Sequence, residues 1–264
     1  MTLPYIETGD KQSTPVILLH GISDSHRSYE RLLPHLPNSI HSFAVTLRGH
    51  GNASKPESGF SVSNMANDID IFMDRVGIGK AVIVGHSMGS FVSQRLAIDH
   101  PERIEKLVLI GSFPSFRNNQ TVIDFAETEI VQLEDPINPD FVREFQLSTL
   151  QQQVPADFLE MVVDESLKVP ARVWKEAFGS MLEADHTPEL GKITAETLLL
   201  WGDQDAYLGL DDQTKLLANI SNSQLEIFEG VGHAPHWEQP EKAAAVIASF
   251  VGSVTLVKEG SATA

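Results

Sequence analysis

The chain has 264 residues, of which 42% are hydrophobic and 21% are charged, and it carries a formal net charge of −17. This composition is typical of a soluble globular protein whose length suits one large domain with a sizeable core. The acidic charge argues against nucleic-acid or anionic-lipid partners and favours a neutral, largely apolar small-molecule ligand over an anionic one.

The first ten residues, MTLPYIETGD, have neither the basic segment nor the apolar segment of a secretory signal. No apolar run reaches the roughly 18 residues of a membrane helix, and the absence of cysteine excludes a disulfide framework and thiol chemistry. We therefore predict a cytoplasmic protein that is not inserted in a membrane.

Six short apolar runs are predicted as strands. They are PVILLH (15–20), HSFAVTL (41–47), KAVIVG (80–85), KLVLIGS (106–112), ETLLLWG (196–202) and QLEIFEG (224–230). The runs are nearly continuous in Val, Ile and Leu rather than alternating, which is typical of a parallel sheet covered by helices on both faces.

Helical patterns separate these runs, and their alternation with strands predicts an α/β fold. Apolar residues at helical spacing indicate a helix over 62–76. Another helix is expected to start at Ser87 and to stop before Pro101, and a last one to begin near Pro240, because proline suits a first helical turn.

Residues 113–190 contain helical patterns but no convincing strand, so they are predicted to form a helical cap inserted into the sheet domain. The α/β core then comprises residues 1–112 and 191–254. The small, polar residues 255–264 are predicted to form a disordered tail.

The pentapeptide Gly85-His86-Ser87-Met88-Gly89 matches the G-x-S-x-G pattern and lies between a predicted strand and a predicted helix. A sharp turn of this kind presents the serine hydroxyl above the sheet, and small residues on either side let the backbone turn. A plain strand-to-helix turn is the alternative interpretation. The flanking pattern favours Ser87 as a nucleophile.

A serine hydroxyl needs a base, and the base needs a carboxylate that fixes its tautomer. His233 follows the last predicted strand in a loop bracketed by glycine, and it is favoured over His236, whose neighbours suggest packing. Asp205 lies deeper in the loop after LLLWG than Asp203, which resembles a turn residue. The predicted order is therefore Ser87, Asp205 and His233, as expected for this type of fold.

Acyl chemistry also requires donors for the oxyanion. The N–H of Met88, directly after the nucleophile, is one candidate. The N–H of Ile22, in the turn after the first long strand, is the other.

These segments together resemble the α/β-hydrolase superfamily, and more narrowly its capped esterases, lactonases and cofactor-free haloperoxidase-like enzymes. The resemblance rests on LLHG, LRGHGNASKPESGFS, VIVGHSMGS, DHPERIEKLVLIGS, LLLWGDQD and GVGHAPHWEQPEK. It implies a mostly parallel eight-stranded sheet with a helical cap after the sixth strand, a Ser87–Asp205–His233 triad, and no cofactor. Thr46, Ser90 and Gly209 depart from residues common in such relatives, which weakens any transfer of substrate preference.

Ligand pockets are mostly apolar with a few polar groups. Five residues are predicted to line the substrate pocket, namely Ser23, Phe113, Met161, Trp174 and Tyr207. No metal-ligand spacing such as H-E-x-x-H occurs, so no metal is expected.

The sequence thus predicts a serine hydrolase that cleaves a carboxylic ester or lactone through an acyl-enzyme on Ser87. A C–C bond hydrolase or an acyltransferase with the same triad is the alternative within the enzyme class. A small-ligand receptor or signalling protein with a residual triad is the alternative from another class. The physiological substrate and the oligomeric state stay open at this point.

Overall fold

The computed structural model describes residues 2–252. Their centre is a seven-stranded sheet with the order β1-β3-β2-β4-β5-β6-β7, in which β1 runs antiparallel to β3 and every other neighbouring pair is parallel. The strands are β1 (Tyr5–Thr8), β2 (Pro15–Leu19), β3 (His41–Val45), β4 (Ala81–His86), β5 (Ile104–Ile110), β6 (Glu196–Gly202) and β7 (Ser223–Phe228).

Helices connect most of the parallel strands and follow the last one. They are α1 (Val62–Arg75), α2 (Met88–Asp99), α3 (Gln120–Thr128), α4 (Pro139–Ser148), α5 (Ala156–Ser166), α6 (Ala171–Glu183), α7 (Leu210–Asn219), α8 (Pro235–Glu238) and α9 (Pro240–Gly252). Ser61 caps α1 by accepting a hydrogen bond from the N–H of Asn64, which satisfies one free donor of the first turn.

The predicted α/β fold with a mostly parallel sheet is confirmed, whereas the strand count differs from the expectation. All six predicted strands are present, but the sheet of residues 2–252 has seven strands rather than eight, so the helices of 113–190 follow the fifth strand and not the sixth. Among the described residues one strand, β1, precedes β2; it pairs antiparallel with β3, and the chain reverses direction over residues 9–14. The sequence gives little sign of β1, since all four of its residues are exposed and carry no apolar pattern.

The two faces of the sheet pack against different helices because side chains alternate along each strand. In β2, Val16 and Leu18 belong to an apolar cluster that includes Phe250 of α9. Ile17 and Leu19 belong to a second cluster that includes Phe91 of α2. All four β2 side chains are fully buried. Burial on both faces explains why the strands read as continuous apolar runs.

Residues 113–190, called the insertion below, contain helices α3 to α6. The insertion is attached to the sheet domain by hydrogen bonds to free backbone donors. The Glu176 carboxylate accepts from the N–H groups of Gly59 at 2.8 Å and Phe60 at 2.7 Å, and Ser180 Oγ accepts from the N–H of Val62 at 3.0 Å. The predicted domain boundaries remain predictions, and the predicted tail, 255–264, lies outside the described residues.

Within residues 2–252 no helix combines the length and the apolar character that crossing a membrane requires.

Several buried histidines predict that the free energy of unfolding decreases at acidic pH. Burial lowers the pKa of His50 to about 4 and that of His236 to about 3, and it holds the pKa values of His20 and His86 well below their usual range. In the unfolded chain a histidine titrates near pH 6.5. Between about pH 6.5 and 4 the unfolded state therefore binds more protons, so the free energy of unfolding falls as the pH falls.

The variant His236→Phe tests this linkage, because both ring nitrogens of His236 lack a hydrogen-bond partner within residues 2–252. From pH 6 to pH 5 the variant should lose about 1 kcal/mol less of its unfolding free energy than the wild type. Urea unfolding at the two pH values measures the difference. An equal loss in both proteins would contradict the assignment of a neutral, buried His236.

Candidate active site

Ser87 occupies the turn between β4 and α2, as the G-x-S-x-G pattern predicts. Its backbone has φ 51° and ψ −118°, in the positive-φ region that residues other than glycine rarely adopt. The Ser87 N–H donates to the carbonyl oxygen of Ile110 at 3.0 Å, which ties the turn to the end of β5. Ser87 is half-buried and lines a cavity. Backbone strain held in this way is characteristic of functional sites.

The glycines on either side of Ser87 are required by close backbone packing. A Cβ atom at residue 89 would overlap the carbonyl oxygen of Leu19 and lie 2.6 Å from that of His20, at the end of β2. A Cβ atom at residue 85 would overlap the carbonyl oxygen of Gly89. The helix therefore begins directly against the sheet, and this contact holds the turn in its strained form.

His233 and Asp205 form a buried hydrogen-bonded pair. The distance between His233 Nδ1 and Asp205 Oδ2 is 2.7 Å, and the two side chains are 8% and 0% exposed. The other carboxylate oxygen of Asp205 accepts from the N–H groups of Tyr207 at 2.9 Å and Leu208 at 3.1 Å, which fixes its orientation. Burial disfavours the charged imidazole, but the carboxyl groups of Asp205, Asp24 and Glu238, of which Asp205 contributes most, together outweigh burial and raise the pKa of His233.

Asp203 and His236, the alternatives to Asp205 and His233, are not part of this pair. Asp203 accepts a hydrogen bond from the N–H of Gly230 at 2.6 Å and does not contact His233. His236 is fully buried among aromatic rings, with its centroid 5.2 Å from that of Tyr29 and 4.4 Å from that of His86. Of the four candidates, the structure brings together the favoured pair, Asp205 and His233.

Two backbone N–H groups border the same site. Ile22 lines the cavity beside Ser87, and Met88 is the first residue of α2. Within residues 2–252 neither N–H donates to a backbone carbonyl. Both groups are therefore free to bind an anionic oxygen, and the helix N-terminus adds a positive partial charge at Met88.

The cavity has a polar end at the sheet and an apolar wall from the insertion. Aromatic rings of the insertion pack against one another in this wall, with Phe125 and Phe145 at 5.8 Å between centroids and Phe125 and Phe178 also at 5.8 Å. The lining consists of Gly21, Ile22, Asp24, His86, Ser87, Phe116, Val122, Phe125, Phe145, Gln146, Thr149, Phe178, Met181, Tyr207, Leu208, His233 and Trp237. Within residues 2–252 no cluster of three His, Cys, Asp or Glu side chains is arranged to hold a metal ion.

Of the five residues predicted to line the substrate pocket, Tyr207 lines this cavity and the other four lie outside its lining. Phe113 stacks between Phe91 and Phe116, at 4.7 and 3.7 Å between centroids, and so lies one layer behind the wall.

The other three residues also pack outside the lining of this cavity. Trp174 packs against Phe141 and Phe145 and is fully buried. Met161 belongs to a small cluster with Trp237. Ser23 is buried behind the lining, where its hydroxyl accepts from the Gln146 amide at 3.1 Å.

Sequence reasoning missed most of the lining, although a partial signal exists. Three pairs of lining residues lie one helical turn apart, namely Val122 with Phe125, Phe145 with Thr149, and Phe178 with Met181. The first and third pairs mark one face of α3 and α6, and the second joins a residue of α4 to Thr149, which caps the end of that helix. The pattern alone does not say which apolar face of a cap helix meets a cavity and which meets another helix.

A parallel sheet with a serine at a strand–helix turn, and an aspartate–histidine pair in later loops, is the arrangement of α/β-hydrolase folds. A family model described as alpha/beta hydrolase fold matches residues 14–240. The chain therefore belongs to this family. Membership supports an enzyme that hydrolyses esters or related bonds.

Relatives and solved structures agree with this assignment. The chain is 28% identical over 267 residues to a 2-hydroxy-6-oxo-6-phenylhexa-2,4-dienoate hydrolase of Burkholderia cepacia, covering 87% of this chain and 85% of the relative. The esterase EaEST of Exiguobacterium antarcticum superposes with a TM-score of 0.84 and 23% identity, over 95% of both chains. A bromoperoxidase of Bacillus anthracis gives a TM-score of 0.86 and 21% identity, again over 95% of both. At these identities the structural matches show the fold.

The Asp205–His233 contact predicts the effect of removing one carboxylate. Because the Asp205 carboxylate contributes most to raising the pKa of His233, Asp205→Asn should lower that pKa. Asp203→Asn is the matched control and should leave it unchanged, since Asp203 bonds the backbone of Gly230 instead. Histidine-resolved NMR titration of the three proteins measures the shift. A larger effect in the Asp203 variant would reverse the assignment.

Proposed function

We propose that the protein is a serine hydrolase that cleaves a carboxylic ester or lactone of a neutral, largely apolar small molecule. The observation that carries the proposal is that Ser87, held at a strained turn, lines the same cavity as His233, whose imidazole is paired with a buried carboxylate. A nucleophile beside a base that is oriented by a third group is the arrangement that activates a weak hydroxyl.

In the acylation step, Ser87 Oγ attacks the carbonyl carbon while His233 takes the hydroxyl proton. Asp205 holds Nδ1 of the ring, so Nε2 is the nitrogen that acts as base, and the carboxylate stabilises the imidazolium that forms. The N–H groups of Ile22 and Met88 bind the oxyanion. The C–O bond of the ester then breaks, and the proton on His233 passes to the departing alkoxide, which leaves an acyl group on Ser87.

In the second step, water attacks the acyl group as His233 takes one of its protons. The tetrahedral intermediate collapses with cleavage of the bond to Ser87 Oγ, which regains its proton from His233. The products are a carboxylic acid and a free enzyme. In a lactone the acid and the alcohol remain in one molecule.

The lining supports the proposed class of substrate. Six lining residues from the insertion are apolar, and the lining contains neither Lys nor Arg, so no cation is present to pair with a phosphate or carboxylate. The overall charge of −17 likewise disfavours anionic substrates.

Two alternatives to the ester or lactone hydrolase are a different reaction with the same residues and a receptor. The same residues can serve a C–C bond hydrolase, and the dienoate hydrolase relative favours this alternative. They can also serve an acyltransferase, in which an alcohol replaces water. Hydrolysis in ¹⁸O-labelled water puts the label into the acid product only if water is the acceptor. A small-ligand receptor with a residual triad predicts very slow ester turnover.

Replacing the nucleophile tests the proposal directly. Ser87→Ala should reduce hydrolysis of p-nitrophenyl esters by at least about 10⁴-fold while the protein remains folded, because the remaining groups cannot form an acyl-enzyme. A fluorophosphonate probe should label the wild type at Ser87, stoichiometrically and rapidly, and should not label the variant.

Ser63→Ala is the control, because Ser63 is an exposed residue of α1. It should retain wild-type rates and wild-type labelling. A Ser87→Ala protein with undiminished activity would exclude Ser87 as the nucleophile. Absence of both labelling and turnover in the wild type would favour the receptor alternative.

A further inference from the structure

The turn that carries Ile22 is strained, as the turn at Ser87 is. The N–H of Asp24 donates to the carbonyl oxygen of Gly21 at 3.3 Å, which closes a four-residue turn over 21–24 with Ser23 at its third position. Ser23 has φ 67°, and within residues 2–252 Ser23 and Ser87 are the two residues other than glycine with a positive φ. Glycine or asparagine is usual where a turn requires positive φ at this position. A serine there persists only if its surroundings hold it.

The insertion supplies the contacts that hold Ser23. The Ser23 side chain is fully buried, and its Oγ lies 3.1 Å from Nε2 of Gln146 in α4 and 3.1 Å from Oγ of Ser166 in α5. Gln146 and Ser166 are also buried, and these two atoms of theirs lie 2.9 Å apart. Breaking a buried hydrogen bond is costly, because it leaves a polar group without a partner. The Ser23 hydroxyl is therefore tied to two helices of the insertion.

Gln146 also holds the last residue of the turn. Its Nε2 lies 3.1 Å from Oδ1 of Asp24, whose side chain is buried. The Asp24 carboxyl group in turn accepts a hydrogen bond from the backbone N–H of Gly21, so the two ends of the turn are joined by this side chain as well as by the backbone. Gln146 thus contacts the two residues that directly follow Ile22.

The form of the turn decides where the N–H of Ile22 points. Ile22 precedes the strained residue, and within residues 2–252 its N–H makes no hydrogen bond to a backbone carbonyl. If φ of Ser23 relaxed to a negative value, the peptide groups beside it would rotate and the turn would shift. An oxyanion donor acts only when it lies about 2.7–3.1 Å from the developing charge, so even a small shift weakens it.

We infer that Gln146 and Ser166 of the insertion are positioning residues that hold the turn over 21–24 in the form that presents the N–H of Ile22 to the oxyanion. The inference rests on the proposed function and makes the insertion a part of the oxyanion site as well as of the cavity wall. Ser23 and Ser166 do not line the cavity, so their effect on catalysis passes through the turn and not through contact with the substrate.

Two substitutions at Ser23 separate the backbone form of the turn from the hydroxyl that anchors it. Ser23→Ala and Ser23→Gly both lose the hydroxyl, but glycine adopts a positive φ without a steric penalty whereas alanine does not. In Ser23→Ala, kcat/KM for p-nitrophenyl butyrate should fall about tenfold or more, because losing an oxyanion donor outright costs roughly 10²–10³-fold. Ser23→Gly should keep a kcat/KM about threefold or more above that of Ser23→Ala.

Gln146→Leu removes the amide that holds the turn and should also lower kcat/KM about tenfold or more. Gln153→Leu is the matched control and should keep the wild-type rate, because Gln153 is exposed and does not line the cavity. Gln146→Leu combined with Ser23→Ala should lose little more than the larger single loss, since effects on one turn do not multiply. Ser166→Ala is a milder variant, which tests the same contact if Gln146→Leu does not fold.

An inhibitor that forms an oxyanion gives a readout that a purely structural role would not move. Ser87 Oγ adds to the carbonyl carbon of an alkyl trifluoromethyl ketone, the hydroxyl proton passes to His233, and the carbonyl oxygen becomes the oxyanion. Across the variants, the inhibition constant should rise by the factor by which kcat/KM falls, because both depend on the same donors. The inhibition constant does not depend on the folded fraction, which thermal melting and probe labelling measure.

Wild-type kcat/KM in Ser23→Ala, or equal losses in Ser23→Ala and Ser23→Gly, would overturn the inference. Multiplied losses in the double variant, or an inhibition constant that stays unchanged while kcat/KM falls, would do the same. In each of these cases, turnover and probe labelling of the wild type would leave the proposed function standing. Absence of both in the wild type would contradict the proposed function, and with it the inference.

Discussion

The close approach of α2 to the end of β2 is the constraint on which the site depends. Gly89 contacts the carbonyl oxygens of Leu19 and His20 so closely that no side chain fits between them. The helix must therefore begin immediately after β4, and Ser87 absorbs the change of direction in a positive-φ conformation. The same contact sets the first N–H groups of α2 beside the loop that follows β2, which carries Ile22. The proposed nucleophile and the proposed oxyanion donors are thus positioned by one packing contact.

The insertion contributes more than a cover for the cavity, because it also holds the loop that carries His233. The N–H of His233 donates to the carbonyl oxygen of Thr149 at 2.8 Å. The Glu238 carboxylate accepts from the N–H groups of Gln151 and Gln152 at 3.1 and 2.6 Å, and from that of Gly232 at 2.9 Å. The segment after α4 and the histidine loop are therefore one hydrogen-bonded unit. A change in the insertion should consequently affect the position of His233, the proposed base, as well as the shape of the cavity.

Much of the fold could be predicted because burial on both faces leaves a strong signal in the sequence. Strands β2 to β7 each contain an apolar run. Helices α1, α2 and α9 have either apolar residues at helical spacing or a proline at a boundary. The signal fails where a strand is not buried. All four residues of β1 are exposed at the edge of the sheet, although Tyr5 and Ile6 are only 41% and 36% exposed, and the place of β1 follows from pairing with β3 rather than from its own composition. The predicted count of eight strands came from the resemblance, whereas the sheet of residues 2–252 has seven.

The difference between the triad candidates and the pocket candidates has the same physical origin. Ser87, Asp205 and His233 each follow a strand of a parallel sheet, and parallel strands end at one edge, so chain connectivity alone brings such residues together. The cavity wall depends instead on how each insertion helix is rotated about its axis. An aromatic residue such as Trp174 packs between helices as readily as it faces a ligand, and only the tertiary contacts decide between the two. The sequence did not predict Asp24 as a lining residue for a related reason. Polar residues are common in loops that follow strands, and only the tertiary structure buries Asp24 against Gln146 and places it in the cavity lining.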